Sequence, residues 1–203
     1  LGMIRIIIEN DIRISLSDIL ALGSKKADIE DLKEFIYQRM KVFLREKELR
    51  HDIIDACLSI DKEDDLALSV KKSSALMEFI KTSDGSNLIQ GFKRANNILL
   101  QAEKNDGVEY SFGADLKYAK EDAELNLFSV LDSEEVKIKA SLEREDFVEA
   151  MNSMANLRAP IDSFFETVQI NSDVDHIRRN RLNLLSRICK LCLSVADLTK
   201  VEG

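Results

Sequence analysis

The sequence predicts an all-α fold, an antiparallel helical bundle, and three features carry that prediction. Among 203 residues there is one proline, Pro160, and only seven glycines, too few turn formers for a many-stranded β fold. Apolar residues recur three and four positions apart over long stretches, the period of a helix with one buried face. Hydrophobic residues make up 45% and charged residues 33%, enough to bury a core beneath a solvated surface. No fixed-period repeat is present, so a solenoid is disfavoured.

Taken in order, residues 1–10 (LGMIRIIIEN) form an apolar stretch that fits a helix end or a strand. Ser17 reads as the N-cap of a short helix through DILAL, stopped by Gly23, and Ser24-Lys25-Lys26 as a linker. From Asp28 a long helix carries Ile29, Leu32, Phe35, Ile36, Met40, Phe43 and Leu44. A shorter one spans about 51–59, facing inward with Ile53, Ile54, Cys57 and Leu58. Asp61, with Asp64 three residues on, reads as the cap of the next helix, which carries Leu66, Val70, Leu76, Phe79 and Ile80. Ser83-Asp84-Gly85 reads as a turn, followed by a helix with Leu88, Ile89, Phe92, Ala95, Ile98 and Leu99. Residues 105–118 (NDGVEYSFGADLKY) break the period and predict either a loop insertion or a small hairpin. Helical spacing returns with Ala123, Leu125, Phe128, Leu131, Val136, Ile138 and Leu142. Asp146 precedes a stretch ending near Leu157, Pro160 reads as the first residue of a helix through Phe164, Phe165 and Val168, and a final helix covers about 174–198. The boundaries imply two parts: residues 1–24, the end of a preceding region with its linker, and residues 25–203, a helical domain. The start at Leu-Gly-Met reads as a cut from a longer polypeptide.

The net charge of −8 is the wrong sign for a protein that coats nucleic acid by bulk electrostatics; any RNA contact must come from a local basic face. Residues 174–203 supply one, with six Lys or Arg against three acidic residues. The run Ile6-Ile7-Ile8 is far too short to span a bilayer. Three cysteines cannot all pair, and no signal peptide precedes them, which points to the cytoplasm. Cys189 and Cys192 continue an apolar helical face and read as buried thiols, not as half of a zinc site, which needs about four ligands. His51-Asp52 resembles the metal-binding pair of HD phosphohydrolases, but two histidines in the whole chain cannot complete that site. There is no glycine-rich phosphate loop and no nucleophile with a base beside it, so no active site is expected.

Three segments are more specific: Phe92-Lys-Arg-Ala-Asn-Asn-Ile-Leu99, Ala159-Pro-Ile-Asp-Ser-Phe-Phe-Glu-Thr-Val168 running on to Asn171, and Arg178-Arg-Asn-Arg-Leu-Asn-Leu-Leu185 with Val195-Ala-Asp-Leu198 after it. In this order and spacing they resemble the DALR-type helical anticodon-binding domain of class I synthetases and, more closely, that of the bacterial glycyl-tRNA synthetase β subunit. Phe35 to Glu46 is similar to the helix that opens the terminal domain there, and Leu1 to Asn10 looks like the segment joining it to the preceding body. The chain departs from the family pattern at Gln169-Ile170, where Met-Val is usual. The resemblance implies an αβ heterotetramer in which the α subunit uses ATP, Mg and glycine. The β subunit grips glycine tRNA, and this segment performs no chemistry and holds no cofactor itself. Its implied partners are glycine tRNA, the α subunit and the rest of the β subunit, with no membrane and no DNA.

Unpaired anticodon bases are held by stacking on rings and guanidinium planes and by amide and charged donors. The residues available for this are Tyr37, Arg39, Lys93, Arg94, Asn97, Arg178 and Arg181. Lys93 and Asn97 share a helical face, as do Arg178 and Arg181. For the arginines the competing reading is an internal pair with a carboxylate, which suits the guanidinium fork as well as a phosphate does. For the whole chain it is a docking domain that packs against other protein and touches RNA little.

Overall fold

Ten α-helices and two short 3₁₀ turns make up the computed structural model, which describes residues 1–23, 29–59 and 64–202. The helices are α1 (Gly2–Glu9), α2 (Leu16–Ala21), α3 (Ile29–Glu46), α4 (His51–Leu58), α5 (Leu66–Ile80), α6 (Ser83–Asp106), α7 (Asp122–Glu143), α8 (Phe147–Ala155), α9 (Arg158–Thr167) and α10 (Asp175–Leu193). Turns Leu116–Tyr118 and Leu198–Lys200 complete the list. Among the described residues there is no strand pairing beyond an isolated bridge between Ser15 and Asp65, so the all-α expectation holds. Of the two alternatives for this region the loop insertion is the one that forms: residues 107–121 are a loop containing one 3₁₀ turn, with no hairpin. The linker Ser24–Lys26, the helix start at Asp28 and the cap Asp61 lie outside the described residues.

Several helix ends differ from the sequence reading, each for a local reason. Ser15, not Ser17, caps α2 by accepting the Asp18 N–H at 3.0 Å. Asp65 caps α5 through the Leu68 N–H. Ser83-Asp84-Gly85 is the first turn of α6 rather than a loop, because the Thr82 hydroxyl oxygen accepts the Gly85 N–H and so starts the helix two residues earlier than glycine alone suggests. Pro160 is the third residue of α9, not the first; a missing N–H costs nothing anywhere in the first turn. Gly107 ends α6 in the left-handed conformation at φ 67°, where glycine carries no Cβ penalty.

Two apolar clusters organise the helices. The larger gathers Phe79 and Leu76 from α5, Phe92 and Leu99 from α6, Leu127 and Leu131 from α7, Met151 and Met154 from α8, Phe164 from α9 and Leu184, Leu185 and Ile188 from α10. The smaller joins Ile4 and Ile7 of α1, Leu16 of α2, Ile36, Met40, Phe43 and Leu44 of α3, and Ile54 of α4. Neighbours Ile53 and Ile54, both fully buried, face different clusters, so α4 is the seam between them. The chain's end closes the seam. Asp52 is 3% exposed, pairs with the Arg50 guanidinium at 2.6 Å and accepts the Glu202 N–H at 2.6 Å. The aspartate of the His51-Asp52 pair is thus a structural tie. Cys57, Cys189 and Cys192 are buried and form no disulfide, and burial pushes the Cys189 thiol up to about 12, which leaves it unreactive at neutral pH.

Asp64 docks α2 onto the start of α5. Its carboxylate accepts the Ser17 N–H (2.9 Å), the Ser17 hydroxyl (3.0 Å) and the Ser15 hydroxyl, and pairs with Lys33 at 3.0 Å. Burial alone would raise its pKa, but these donors overcome it and hold the pKa near 2. A depressed carboxylate contributes stability above its unfolded value of ~4 and loses it as pH falls toward the folded value. We expect amide exchange in α1 and α2 to accelerate selectively between pH 4 and 2. In Asp64→Asn, exchange should be fast already at pH 6 and lose that dependence.

Candidate nucleic-acid interface

Helix α6 is two-faced. Leu88, Ile89, Phe92, Ala95, Leu99 and Ala102 are buried, and the opposite side exposes Gln90, Arg94, Asn97, Gln101 and Lys104. Steps of four, three, four and three keep those five side chains in one row. The row offers amides and cations with no carboxylate among them.

Helix α9 lies against this side of α6, and Gly91 lets it come close: a Cβ there would meet Ile161 Cγ2 at 3.1 Å. That approach brings the half-buried Phe165 under Arg94, whose guanidinium carbon sits 4.4 Å from the ring centroid. Phe164, its neighbour, is fully buried and meets Phe165 edge-on at 5.7 Å, so the platform rests on the core. An adjoining cleft of ≈ 340 Å³ is lined by Asn87, Gln90, Gly91, Arg94, Arg158, Asp162, Phe165 and Glu166. Arg158 is paired with Asp162 at 3.1 Å, leaving Arg94 as the exposed guanidinium plane of this cleft. A flat cation supported from behind by a ring is the geometry on which an unpaired base stacks.

The other predicted residues lie elsewhere. Lys93 is half-buried and donates to the Val201 carbonyl, holding the chain's end. Tyr37 and Arg39 are on α3, where Tyr37 packs against the smaller cluster and Arg39 covers the exposed Phe35 ring at 5.2 Å. Arg178 bonds Asp106 (2.8 Å), the Tyr110 hydroxyl (3.1 Å) and Asn171 Oδ1. Asp106 lies twelve residues beyond Arg94 on α6, about 18 Å along its axis. Arg181 is 5% exposed, and its guanidinium donates twice at 2.9 Å to Glu124, which is fully buried, and once at 2.7 Å to the Gln169 carbonyl. Glu124 also accepts the Lys120 and Glu121 N–H groups. Burial would raise the Glu124 pKa, but the Arg181 fork and those N–H groups hold it below the ordinary carboxylate range.

The expected gathering of all seven residues at one end is therefore not what the structure presents. Arg94 and Asn97 stand together, while Arg178 and Arg181 hold the 107–121 loop and α7 against α10. Carboxylates also take up much of the basic last helix, since Arg187 pairs with Asp132 and Glu135, both at 2.7 Å. Phe165, Gln90, Gln101 and Lys104 were not anticipated. The last three were readable from their spacing with Arg94 and Asn97. Phe165 was not, because nothing local tells which of two adjacent phenylalanines, 164 and 165, reaches the surface.

Comparison with known proteins fits this layout. Residues 88–202 match the family described as DALR anticodon binding domain, and residues 1–59 match the family described as glycyl-tRNA synthetase beta subunit. The chain is 55% identical over 203 residues to a protein of Ruegeria sp. (strain TM1040) named glycine--tRNA ligase beta subunit, covering all of the chain and 30% of that protein. It is 57% identical over 189 residues to the protein of that name from Dinoroseobacter shibae, covering 93% of the chain and 26% of the relative. Its counterpart in Rhodospirillum centenum is 40% identical over 211 residues. The chain thus spans about 30% of the length of these relatives.

Proposed function

The chain belongs to the DALR anticodon binding domain family, and from that footing we propose that it is the tRNA-reading part of a glycine–tRNA ligase β subunit, gripping the anticodon arm of glycine tRNA. The observation that carries this reading is the row on α6, where Arg94 lies stacked on Phe165 beside Asn97 and three further polar, non-acidic side chains. Relatives that bear the ligase name over the whole length of the chain support it. With a net charge of −8, long-range attraction to RNA is weak, so stacking and amide contacts supply the discrimination.

In this reading the module contributes binding energy and orientation, and glycine activation with ATP and Mg takes place in a partner α subunit of a cytoplasmic enzyme. No residue of this chain is assigned to catalysis. Among the described residues no group of three or more His, Cys, Asp or Glu is placed to hold a metal ion, and no helix is long and apolar enough to cross a membrane.

A module that only binds has a kinetic signature. In the intact ligase, Arg94→Ala should raise KM for glycine tRNA about tenfold, a loss at the lower end of one stacked base. It should leave kcat and the KM values for ATP and glycine unchanged. Unchanged KM for tRNA in both Arg94→Ala and Asn97→Ala would remove α6 from the RNA site. A second reading, a docking module, has one feature in its favour: an apolar groove of ≈ 730 Å³ between α5 and α8, lined by Val70, Ala75, Phe79, Phe147 and Met151. It predicts tRNA binding that is indifferent to salt, whereas phosphate contacts give a negative slope with log salt.

A further inference from the structure

The loop at 107–121 carries Phe112, which is 95% exposed. It is held there by a well-fixed frame. Tyr110 is buried and its hydroxyl donates to Asp106 at 2.6 Å. Gly113 adopts φ 87°, which favours glycine, and the Asp115 N–H donates to Asn180 Oδ1 at 2.8 Å. A framework this ordered around an apolar ring in full contact with water gains nothing for folding, since the ring buries almost no surface.

Residues on both sides of Phe112, Ser111 and Gly113, line a groove of ≈ 300 Å³ between α7 and α10. At its α10 wall stands Asn183, 6% exposed. Its Nδ2 donates to the Arg179 carbonyl at 3.0 Å, and its Oδ1 has no partner among the described residues. A buried amide oxygen without a donor is a destabilising feature that a bound donor would relieve, and the bond from Nδ2 leaves the oxygen as the unanswered side of the amide. The groove also holds Lys139, which makes no ion pair among the described residues, and Lys190, whose ammonium lies 3.4 Å from the Ser111 carbonyl. Arg187 is held by Glu135 and Asp132 together.

We propose that this groove is a second subsite that takes one unpaired nucleotide of the bound tRNA. The base stacks on Phe112, a base N–H donates to Asn183 Oδ1, and the flanking phosphate sits between Lys139 and Lys190. The inference rests on the tRNA-binding reading and adds a contact surface separate from the α6 row. A ring, an acceptor-only amide and two ammonium groups complement the three parts of a nucleotide. An apolar peptide would leave the Asn183 oxygen and both lysines unanswered.

The test is a fluorescence titration of the intact ligase with labelled glycine tRNA. Phe112→Ala and Phe112→Leu should each weaken binding roughly 5- to 100-fold, the range for losing one stacked base. Phe112→Tyr should bind as wild type, and Asn183→Ala should weaken binding in the same direction. A series of tRNAs, each with one abasic anticodon-loop position, should contain one member for which Phe112→Ala has no further effect. Wild-type affinity in Phe112→Ala, or in Phe112→Leu alone, would overturn the proposal, the latter by showing an apolar contact that needs no ring. Loss of affinity in Arg94→Ala within the same titration would then leave the tRNA-binding reading standing. Wild-type affinity in both Arg94→Ala and Phe112→Ala would remove both.

Discussion

Arg181→Ala should destabilise the protein by about 3–5 kcal/mol, the cost of stranding one partner of a buried ion pair. The guanidinium and the Glu124 carboxylate are 5% and 0% exposed. Removing the arginine leaves a charge with only two backbone N–H donors in place of the fork. It also frees the Gln169 carbonyl, so α7, α10 and the α9–α10 connection lose their common tie. Against a total of roughly 5–15 kcal/mol this is a large fraction, and for a chain of this size it lowers Tm by about 10 °C. Circular dichroism melting at 222 nm measures it.

The sign with pH follows from the pair. In the wild type the Glu124 pKa lies below its unfolded value, so the pair stabilises above about pH 4 and that contribution fades in more acid solution. In Arg181→Ala the carboxyl loses its main counter-charge, its pKa rises with burial, and protonation relieves the cost. The difference between variant and wild type should therefore narrow as pH is lowered from 7 to 5. The double variant Arg181→Met with Glu124→Leu should recover much of the loss, because an apolar pair of similar volume strands no charge. A melt of Arg181→Ala identical to wild type would contradict the assignment of Arg181 to a structural tie.

Gly85→Ala should cost roughly 3 kcal/mol, near the upper end for an overpacked site. An added Cβ would lie 2.1 Å from the Phe79 carbonyl oxygen and 2.8 Å from its carbon. Both are backbone atoms that cannot rotate away. The same carbonyl accepts the Thr82 hydroxyl at 2.7 Å, so relief requires separating α5 from α6 and breaking the cap. Gly91→Ala is the control. Its Cβ meets no backbone, only the Cγ2 methyl of Ile161 at 3.1 Å, which must give by a few tenths of an ångström, and alanine gains ~1 kcal/mol of helix propensity. The two terms offset, and the variant should melt close to wild type. Equal melts for both substitutions would show that the α5–α6 corner is not as tight as described.

Much of the fold was readable because helical periodicity is a local signal. Leu88 through Leu99 and Asp146 before α8 follow from spacing and cap chemistry within a few residues. Misreadings cluster where a distant or alternative partner decides. Gly85 looked like a turn residue, yet what requires glycine there is the closeness of the Phe79 carbonyl across the corner. Asp64 looked like part of a capping box, but its donors, Ser15 and Ser17, lie 49 and 47 residues away.

The interface divides the same way. Arg94 and Asn97 share a face that helical spacing puts together. Arg181 was drawn toward RNA by a basic stretch, whereas its partner Glu124 is 57 residues distant and no local pattern announces it. Adjacent phenylalanines at 164 and 165 point to opposite environments because α9 turns 100° between them.

A photocrosslinking side chain in place of Asn97, in the intact ligase bound to glycine tRNA, tests most directly whether the α6 row touches the anticodon arm. Crosslinks should map to unpaired nucleotides of the anticodon loop and disappear when unlabelled glycine tRNA competes. Crosslinks confined to the acceptor stem, or to protein alone while tRNA is bound, would contradict the assignment.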